Sequence, residues 1–334
     1  MSESVVSAII FENLISMIDR PIKIVAGSSH YGLAKEIADN LGVELTGVHI
    51  SRFSCNEIYV KLLESVRGAD VFVVQTSTRN VNEDLMELFI ILDALKRSFA
   101  GQIHVVMPHY AYSRQDRVSQ PREPISAKLI ADLISTAGAD HVITMKLHSD
   151  QAQGFFNFPV DNLDTEKIFA GYFKEKNLED LVVVSPDAGG AKDAKHFADL
   201  LGARLAIIHK NRPEHNSSEV SHVVGKVEGR TCLIYDDMVD TGGSVVAAKE
   251  ALLRKGAKDD VYLMATHPVF SGPAVERLRD AGFKEVVVTN SVPVPEEKHF
   301  PGLKVLSIAP FLSKIIRSVH EGGSVTDLHK LLTK

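Results

Sequence analysis

The sequence predicts an α/β protein of two related domains, each a mostly parallel sheet flanked by helices. Three observations carry this. Strand-like and helix-like segments alternate along most of the chain. The alternation restarts after a Pro/Asp/Asn-containing stretch at 160–163, and 334 residues suffice for two well-buried cores. The expected domains are 1–163, including an extension at 1–20, and 164–334, with the last helix packing back on the first domain.

Short apolar runs rich in β-branched residues mark strands, and longer segments with apolar spacing of three to four mark helices. In the first series these rules give strands at 22–26, 71–75, 103–108 and 141–145, and helices at 33–41, 85–99 and 125–137. In the second they give helix 165–176, strand 181–185, helix 191–201, strand 205–209, strand 231–235 with a helix after it, then strands 261–265 and 286–289. Residues 210–229 hold Asn, Pro, His, Ser and Glu without periodicity, and a long polar connection of this kind often serves as a functional flap. Val6, Ile9, Ile10, Leu14, Ile15 and Ile18 have helix-like spacing without a basic face, so the extension reads as a packing or oligomer-contact helix rather than a membrane anchor.

A net charge of −6 argues against general binding to nucleic acid or anionic membranes. No apolar run approaches the ~20 residues that span a bilayer. The N-terminus lacks a basic region and carries Glu12 and Asp19, unlike a signal peptide. Cys55 and Cys232 are read as buried thiols in a reducing compartment rather than a disulfide. These points together predict a cytoplasmic protein.

Residues 231–244, Thr-Cys-Leu-Ile-Tyr-Asp-Asp-Met-Val-Asp-Thr-Gly-Gly-Ser, carry the most functional information. The strand is expected to end at Asp236 and Asp237. A turn with Asp240, Thr241, Gly242, Gly243 and Ser244 leads into a helix. Free backbone N–H groups and the helix dipole converge at such a turn and favour an anion, to which the Thr241 and Ser244 hydroxyls add donors. The paired acids repel phosphate, so they suit sugar hydroxyls or a divalent cation, and the combination suggests a sugar phosphate. Asp-Thr-Gly-Gly is also ordinary turn chemistry.

Other constellations are weaker alone. Lys210 and Arg212 sit at the foot of the 210–229 connection, where two cations suit charge developing on a transferring phosphoryl group, although such pairs are common in surface loops. Arg-Gln-Asp-Arg (114–117), near Arg122, reads either as a grip on a nucleotide or as the charged start of a helix. His148 lies just past a strand beside Gly-Phe-Phe, and Asp187 lies in Ser-Pro-Asp-Ala-Gly-Gly. The two would make a plausible Mg²⁺ pair, since that ion takes few protein ligands; a lone His is otherwise structural.

The 231–244 loop closely resembles the phosphoribosyl-diphosphate loop of type I phosphoribosyltransferase folds. From about residue 22 onward the chain resembles class I ribose-phosphate diphosphokinases, also called phosphoribosyl-diphosphate synthetases. The matching stretches include Glu-Ser-Val-Arg-Gly (64–68), Asn-Glu-Asp-Leu-Met-Glu-Leu (82–88), Ser-Arg-Gln-Asp-Arg (113–117), Pro-Ile-Ser-Ala-Lys-Leu (124–129), Pro-Val-Asp-Asn-Leu (159–163) and Val-Ser-Pro-Asp-Ala-Gly-Gly-Ala-Lys (184–192). The resemblance implies two phosphoribosyltransferase-like domains and transfer of the diphosphoryl group of Mg-ATP to ribose 5-phosphate. It implies that Phe53, Glu57, Arg114, Gln115 and Arg117 bind ATP, and that His148 and Asp187 bind Mg²⁺. Lys210 and Arg212 would stabilise the transition state. Asp236, Asp237, Asp240, Thr241, Gly242, Gly243 and Ser244 would hold ribose 5-phosphate. It further implies a homo-oligomer, usually a hexamer of dimers, with inorganic phosphate as activator. A weakly catalytic regulatory relative and, more distantly, a nucleobase phosphoribosyltransferase are the alternatives.

Four departures from the family pattern stand out: Cys55 for an Asp or Asn near the adenine, Lys146 for an acid two residues before His148, Asp193 for a base near Asp187, and a less aromatic 326–329. Lys146 and Asp193 are expected to face each other as a reversed ion pair, because a partly buried charge without its partner costs roughly several kcal/mol.

Overall fold

The computed structural model describes residues 20–211 and 220–331. The predicted extension helix, nearly all of it within 1–19, lies outside the described residues, as does Arg212. Contacts divide the described residues into two compact units: residues 20–144, 149–161 and 309–331, and residues 145–148, 162–211 and 220–308.

The first unit holds all of a six-stranded sheet but the last residue of β7 and the last two of β8, in the order β2-β1-β5-β6-β7-β8. Its strands are β1 (Ile22–Ala26), β2 (Leu45–Thr46), β5 (Asp70–Val74), β6 (Gln102–Met107), β7 (His141–Met145) and β8 (Val160–Leu163). Pairing is parallel from β2 through β7. All residues of β5 and β7 are buried, which fits central strands covered on both faces. Helices α1 (Tyr31–Leu41), α2 (Val81–Arg97) and α3 (Ser126–Ala137) bury one apolar face each, such as Leu33, Ala34, Ile37 and Ala38 on α1. A separate antiparallel hairpin pairs β3 (Val48–Arg52) with β4 (Ile58–Leu62). Helix α8 (Ala309–His320) packs on α1, with Arg317 donating to the Leu41 carbonyl at 3.3 Å and His320 Nδ1 2.9 Å from Asp70.

The second unit has a seven-stranded sheet in the order β11-β10-β9-β12-β13-β14-β15. Its elements are α4 (Glu166–Glu175), β9 (Val182–Ser185), α5 (Ala191–Leu201), β10 (Arg204–Asn211), β11 (Val220–Val224), β12 (Cys232–Val239), α6 (Gly243–Arg254), β13 (Val261–Pro268), α7 (Ala274–Asp280), β14 (Glu285–Thr289) and β15 (Leu303–Leu306). A last short helix, α9 (Val325–Leu331), follows α8 in the first unit. Pairing is parallel except between β10 and β11. The 210–229 connection is therefore partly sheet: β10 continues to Asn211 and pairs back with β11, while 212–219 lie outside the described residues.

Both sheets share one topology. In each, the first strand of a βα series is flanked by the second strand on one side and the third on the other. The order thus reverses between β1 and β5 and again between β9 and β12. Ligands of open α/β sheets sit at such a reversal, beyond the carboxyl ends of the strands.

Candidate active site

The two reversal points differ. In the first unit the crevice is filled by side chains. Gln75, fully buried, donates to Glu87 and to the Asp84 carbonyl, both at 3.0 Å, and accepts from the Ser29 amide at 3.1 Å. Glu87 also takes the Ser28 amide and hydroxyl at 2.6 and 2.7 Å. A Cβ on Gly27 would lie 2.1 Å from the Gln75 oxygen, so glycine is required for that closure.

In the second unit the crevice is open. A pocket of about 250 Å³ is lined by Lys146, His148, Asp187, Gly189, Gly190, Asp193, Tyr235, Asp236 and Asp237, among others. Pairing of β9 with β12 stops at Ile234, whereas β12 runs on to Val239 against β13. The expectation that the strand ends at the acids is corrected: Asp236 and Asp237 lie inside β12, where only one neighbouring strand remains. Loss of the β9 neighbour makes the room they line.

Asp236 and Asp237 are half-buried neighbours that cannot both be comfortably charged. Burial and then the charge of Asp237 push the Asp236 carboxyl well above the ordinary range. Burial also acts upward on Asp237, but its hydrogen bond to His148 Nδ1 at 2.7 Å, with the charge there, holds it below the ordinary value. Thus His148 and the acid pair meet directly. Asp187, at the exposed end of β9, accepts the Gly190 amide at 3.0 Å. Among the described residues no three His, Cys, Asp or Glu side chains converge as a ready metal cage. The donor set nevertheless suits Mg²⁺, which binds through one or two protein groups and keeps waters and phosphate oxygens. An imidazole with one nitrogen tied to a carboxylate is oriented for ligation through the other.

The loop after β12 has the geometry of an anion site: a left-handed glycine and an uncapped helix start. Gly242 has φ 74°, in the left-handed region, and no side chain caps the N-terminus of α6. The loop is pinned from α7 by Arg277, whose Nη1 donates to the Thr241 carbonyl at 3.1 Å, and by the Ser271 amide on the Asp240 carbonyl at 2.9 Å. Thr241 and Ser244 are exposed, whereas Gly242 is buried. Arg277 was not legible in the sequence, because nothing local ties a helix residue to a loop 36 positions away.

Lys146 and Asp193 face each other, Nζ to Oδ2 2.7 Å, as the paired departures suggested. Burial pushes the Lys146 ammonium down, but Asp164, Asp193 and Glu166 more than offset this and leave it above its ordinary value. Lys146 Nζ also lies 5.7 Å from the Tyr235 ring centroid. The Tyr235 hydroxyl donates to the buried Glu166 at 2.9 Å, and His196 reaches the other Glu166 oxygen. Neither Tyr235 nor Glu166 carries a local sequence signal for this contact, since the two lie 69 residues apart.

The remaining predicted residues lie elsewhere. Phe53 and Glu57, both exposed, flank the β3–β4 turn, which closes through Phe53 N to Glu57 O at 2.9 Å and Asn56 at φ 73°. Cys55 in that turn is exposed, not buried as expected, because a tight hairpin tip has nothing above it; Cys232 is buried and both are free thiols. Arg114, Gln115 and Arg117 are exposed in the loop before α3. Both groups anchor on the start of α2, through Arg52 to Glu83 at 2.6 Å and Tyr112 to Asn82 at 2.6 Å. Lys210 stands near the end of β10 opposite Ser221.

Comparison with known proteins decides the family. Residues 22–138 match the N-terminal domain of ribose phosphate pyrophosphokinase, and residues 219–330 match the phosphoribosyl synthetase-associated domain. Ribose-phosphate pyrophosphokinases from Bacillus caldolyticus and Bacillus subtilis are 50% and 49% identical to the chain, covering 92% and 93% of it and 97% and 98% of their own lengths. The chain belongs to the ribose-phosphate pyrophosphokinase family. It is an enzyme of that class. The solved phosphoribosylpyrophosphate synthetase of Mycobacterium smegmatis superposes with a TM-score of 0.87 at 47% identity, over 91% of this chain and all of that one. No described helix is long and apolar enough to cross a membrane.

Proposed function

We propose that the open crevice of the second unit holds ribose 5-phosphate and that the chain transfers the β,γ-diphosphoryl group of ATP to its anomeric hydroxyl. The products are phosphoribosyl diphosphate and AMP. One observation carries the reading: an acid pair and an uncapped helix N-terminus on consecutive stretches of chain at the unfilled strand-order reversal. Asp236 and Asp237 accept from ribose hydroxyls. The amides of Gly243 and Ser244, with the Thr241 and Ser244 hydroxyls, take the 5-phosphate, while Asp240 and Gly242 shape the loop. The anomeric oxygen then attacks the β-phosphorus, and the bond from that phosphorus to the AMP oxygen breaks.

In this reading Phe53 and Glu57 face the adenine, and Arg114, Gln115 and Arg117 contact the nucleotide, making the first domain (1–163) the ATP side and the second (164–334) the ribose side. Lys210 and Arg212 meet charge developing on the transferred group. His148 and Asp187 would hold Mg²⁺, which would supply positive charge to neutralise phosphate oxygens. The enzyme works in the cytoplasm as a dimer-based homo-oligomer, up to a hexamer, with inorganic phosphate as activator.

The test is AMP and phosphoribosyl diphosphate formation from ATP and ribose 5-phosphate, with and without inorganic phosphate. Stoichiometric formation of both supports the reading. No turnover in either condition refutes it in favour of a regulatory relative.

A further inference from the structure

Lys146 lies two residues before His148, and Asp193 lies six residues after Asp187. These two pairs belong to separate segments, the exit of β7 and the loop entering α5. Each proposed Mg²⁺ ligand therefore sits on a short piece of backbone whose other end carries one partner of the same ion pair. Resting on the function proposed above, we infer that Lys146 is a positioning residue: its contact with Asp193 clasps the His148 segment to the Asp187 loop.

The backbone around Lys146 is held hard. Its φ is 42°, in the left-handed region that lysine seldom adopts, and such a residue persists only where its surroundings over-determine it. Its amide donates to the Leu163 carbonyl at 2.8 Å, and the Leu147 amide donates to Asn162 Oδ1 at 3.0 Å. Buried His267 presents Nε2 to the Met145 and Lys146 carbonyls, at 3.1 and 3.3 Å. This conformation turns the Lys146 stem inward, where its side chain is only 13% exposed and its head lies over the Tyr235 ring. Tyr235 directly precedes Asp236, so the same side chain also touches the strand that bears the acid pair.

The other half of the clasp is equally local. Asp193 occupies the first turn of α5, where a carboxylate is favoured by the helix dipole. The Ala194 amide donates to the Gly190 carbonyl at 2.9 Å, and the Gly190 amide donates to Asp187 Oδ1 at 3.0 Å. A displacement of Asp193 is thus passed through one helical turn to Asp187. The merely structural alternative, an ion pair that only adds stability, predicts no change in metal response once the protein is folded.

The experiment uses the full chain and four variants: Lys146→Met, Lys146→Glu, Asp193→Lys and the double exchange Lys146→Glu/Asp193→Lys, which roughly preserves the combined side-chain reach. Two readouts are taken for each. One is the Mg²⁺ concentration for half-maximal AMP formation at saturating ATP and ribose 5-phosphate. The other is the rise in unfolding temperature on adding Mg²⁺ with α,β-methylene ATP, a donor that cannot be cleaved. Groups that orient metal ligands typically contribute about 10–100-fold in metal affinity, so the single variants are expected to need about tenfold or more Mg²⁺ and to lose most of the Mg²⁺-dependent thermal shift. The exchange is expected to recover part of both losses relative to the single variants, because it restores opposite charges across the clasp, although it sets a carboxylate beside Asp164 and Glu166 and a cation at the start of α5. Single variants that fold and keep the wild-type Mg²⁺ response overturn the proposal. So does an exchange variant no better than the worse single one. The thermal readout needs no turnover, so the clasp is decided even if the parent protein forms no AMP, a result that refutes only the function proposed above.

Discussion

Replacing Gly242 with alanine tests the phosphate cradle through its backbone. Gly242 has φ 74°, where an L side chain costs about 1–2 kcal/mol relative to the right-handed region. Sterics add little, because a Cβ there would meet Ala274 O at 3.5 Å, Ala274 Cα at 3.7 Å and Arg277 Cβ at 3.8 Å, all ordinary contacts. Gly242→Ala should therefore lower stability by about 1–2 kcal/mol, or roughly 2–8 °C in melting temperature at this domain size. If the loop relieves the strain by rotating, the Gly243 amide turns away from the phosphate. Losing one hydrogen bond to a charged group, about 1.5–3 kcal/mol, should raise the KM for ribose 5-phosphate by at least about tenfold. Gly171 provides the control. It is exposed within α4 with nothing within 4 Å of its Cβ position, so Gly171→Ala should stabilise by about 0.5–1 kcal/mol. Urea unfolding and initial-rate kinetics measure both. Equal stability of Gly242→Ala and wild type, with unchanged KM, would mean that this loop does not bind the phosphate through its backbone.

Three further predictions concern buried groups. His104, with Nε2 lacking a hydrogen-bond partner and Nδ1 3.1 Å from His141, is held down to about 4 by burial and then by His141, with His320 and Arg20 adding to the shift and only Asp70 opposing it. The unfolded chain takes up this proton near 6.5, so stability should fall by about 2–3 kcal/mol as pH drops from 7 to 4; His104→Leu should flatten that slope in urea titrations, and an unchanged slope contradicts the assignment. Tyr235→Phe removes the 2.9 Å bond to Glu166 while keeping the ring under Lys146 and should cost about 1–2 kcal/mol by urea unfolding; no loss would mean that Glu166 is satisfied without it. In native protein a thiol reagent should modify exposed Cys55 alone, whereas Cys232, buried and pushed up to about 12 by burial, should react only after unfolding; two fast thiols would contradict this.

The parts of the fold legible in the sequence were those whose signal is local. The apolar run of β5 and the acid-to-glycine turn after β12 announce themselves, because burial on both faces and a left-handed turn each select residues directly. Two adjacent acids look like a strand terminus, yet β12 runs past them. Met238 and Val239 continue it, paired with His267 and Pro268. The β3–β4 hairpin gives no apolar-run signal, because its strands are mostly half-exposed and lack a buried run. At the site, Lys146 and Asp193 were legible as two compensating departures from a family pattern. Glu166 beneath Tyr235 was not, since a buried carboxylate 69 residues from its partner leaves no mark in either neighbourhood.

The proposed ribose 5-phosphate site is the open crevice of the second unit, whereas the matching crevice of the first is closed by Gln75 and Glu87. Hydrogen–deuterium exchange of the full chain, with and without ribose 5-phosphate, tests it most directly. With ribose 5-phosphate bound there, exchange slows at the amides of residues 241–246 and no protection is gained at 27–30 or 75–77. Slowed exchange in the first unit's crevice, or an unchanged α6 N-terminus at saturating sugar phosphate, would contradict it.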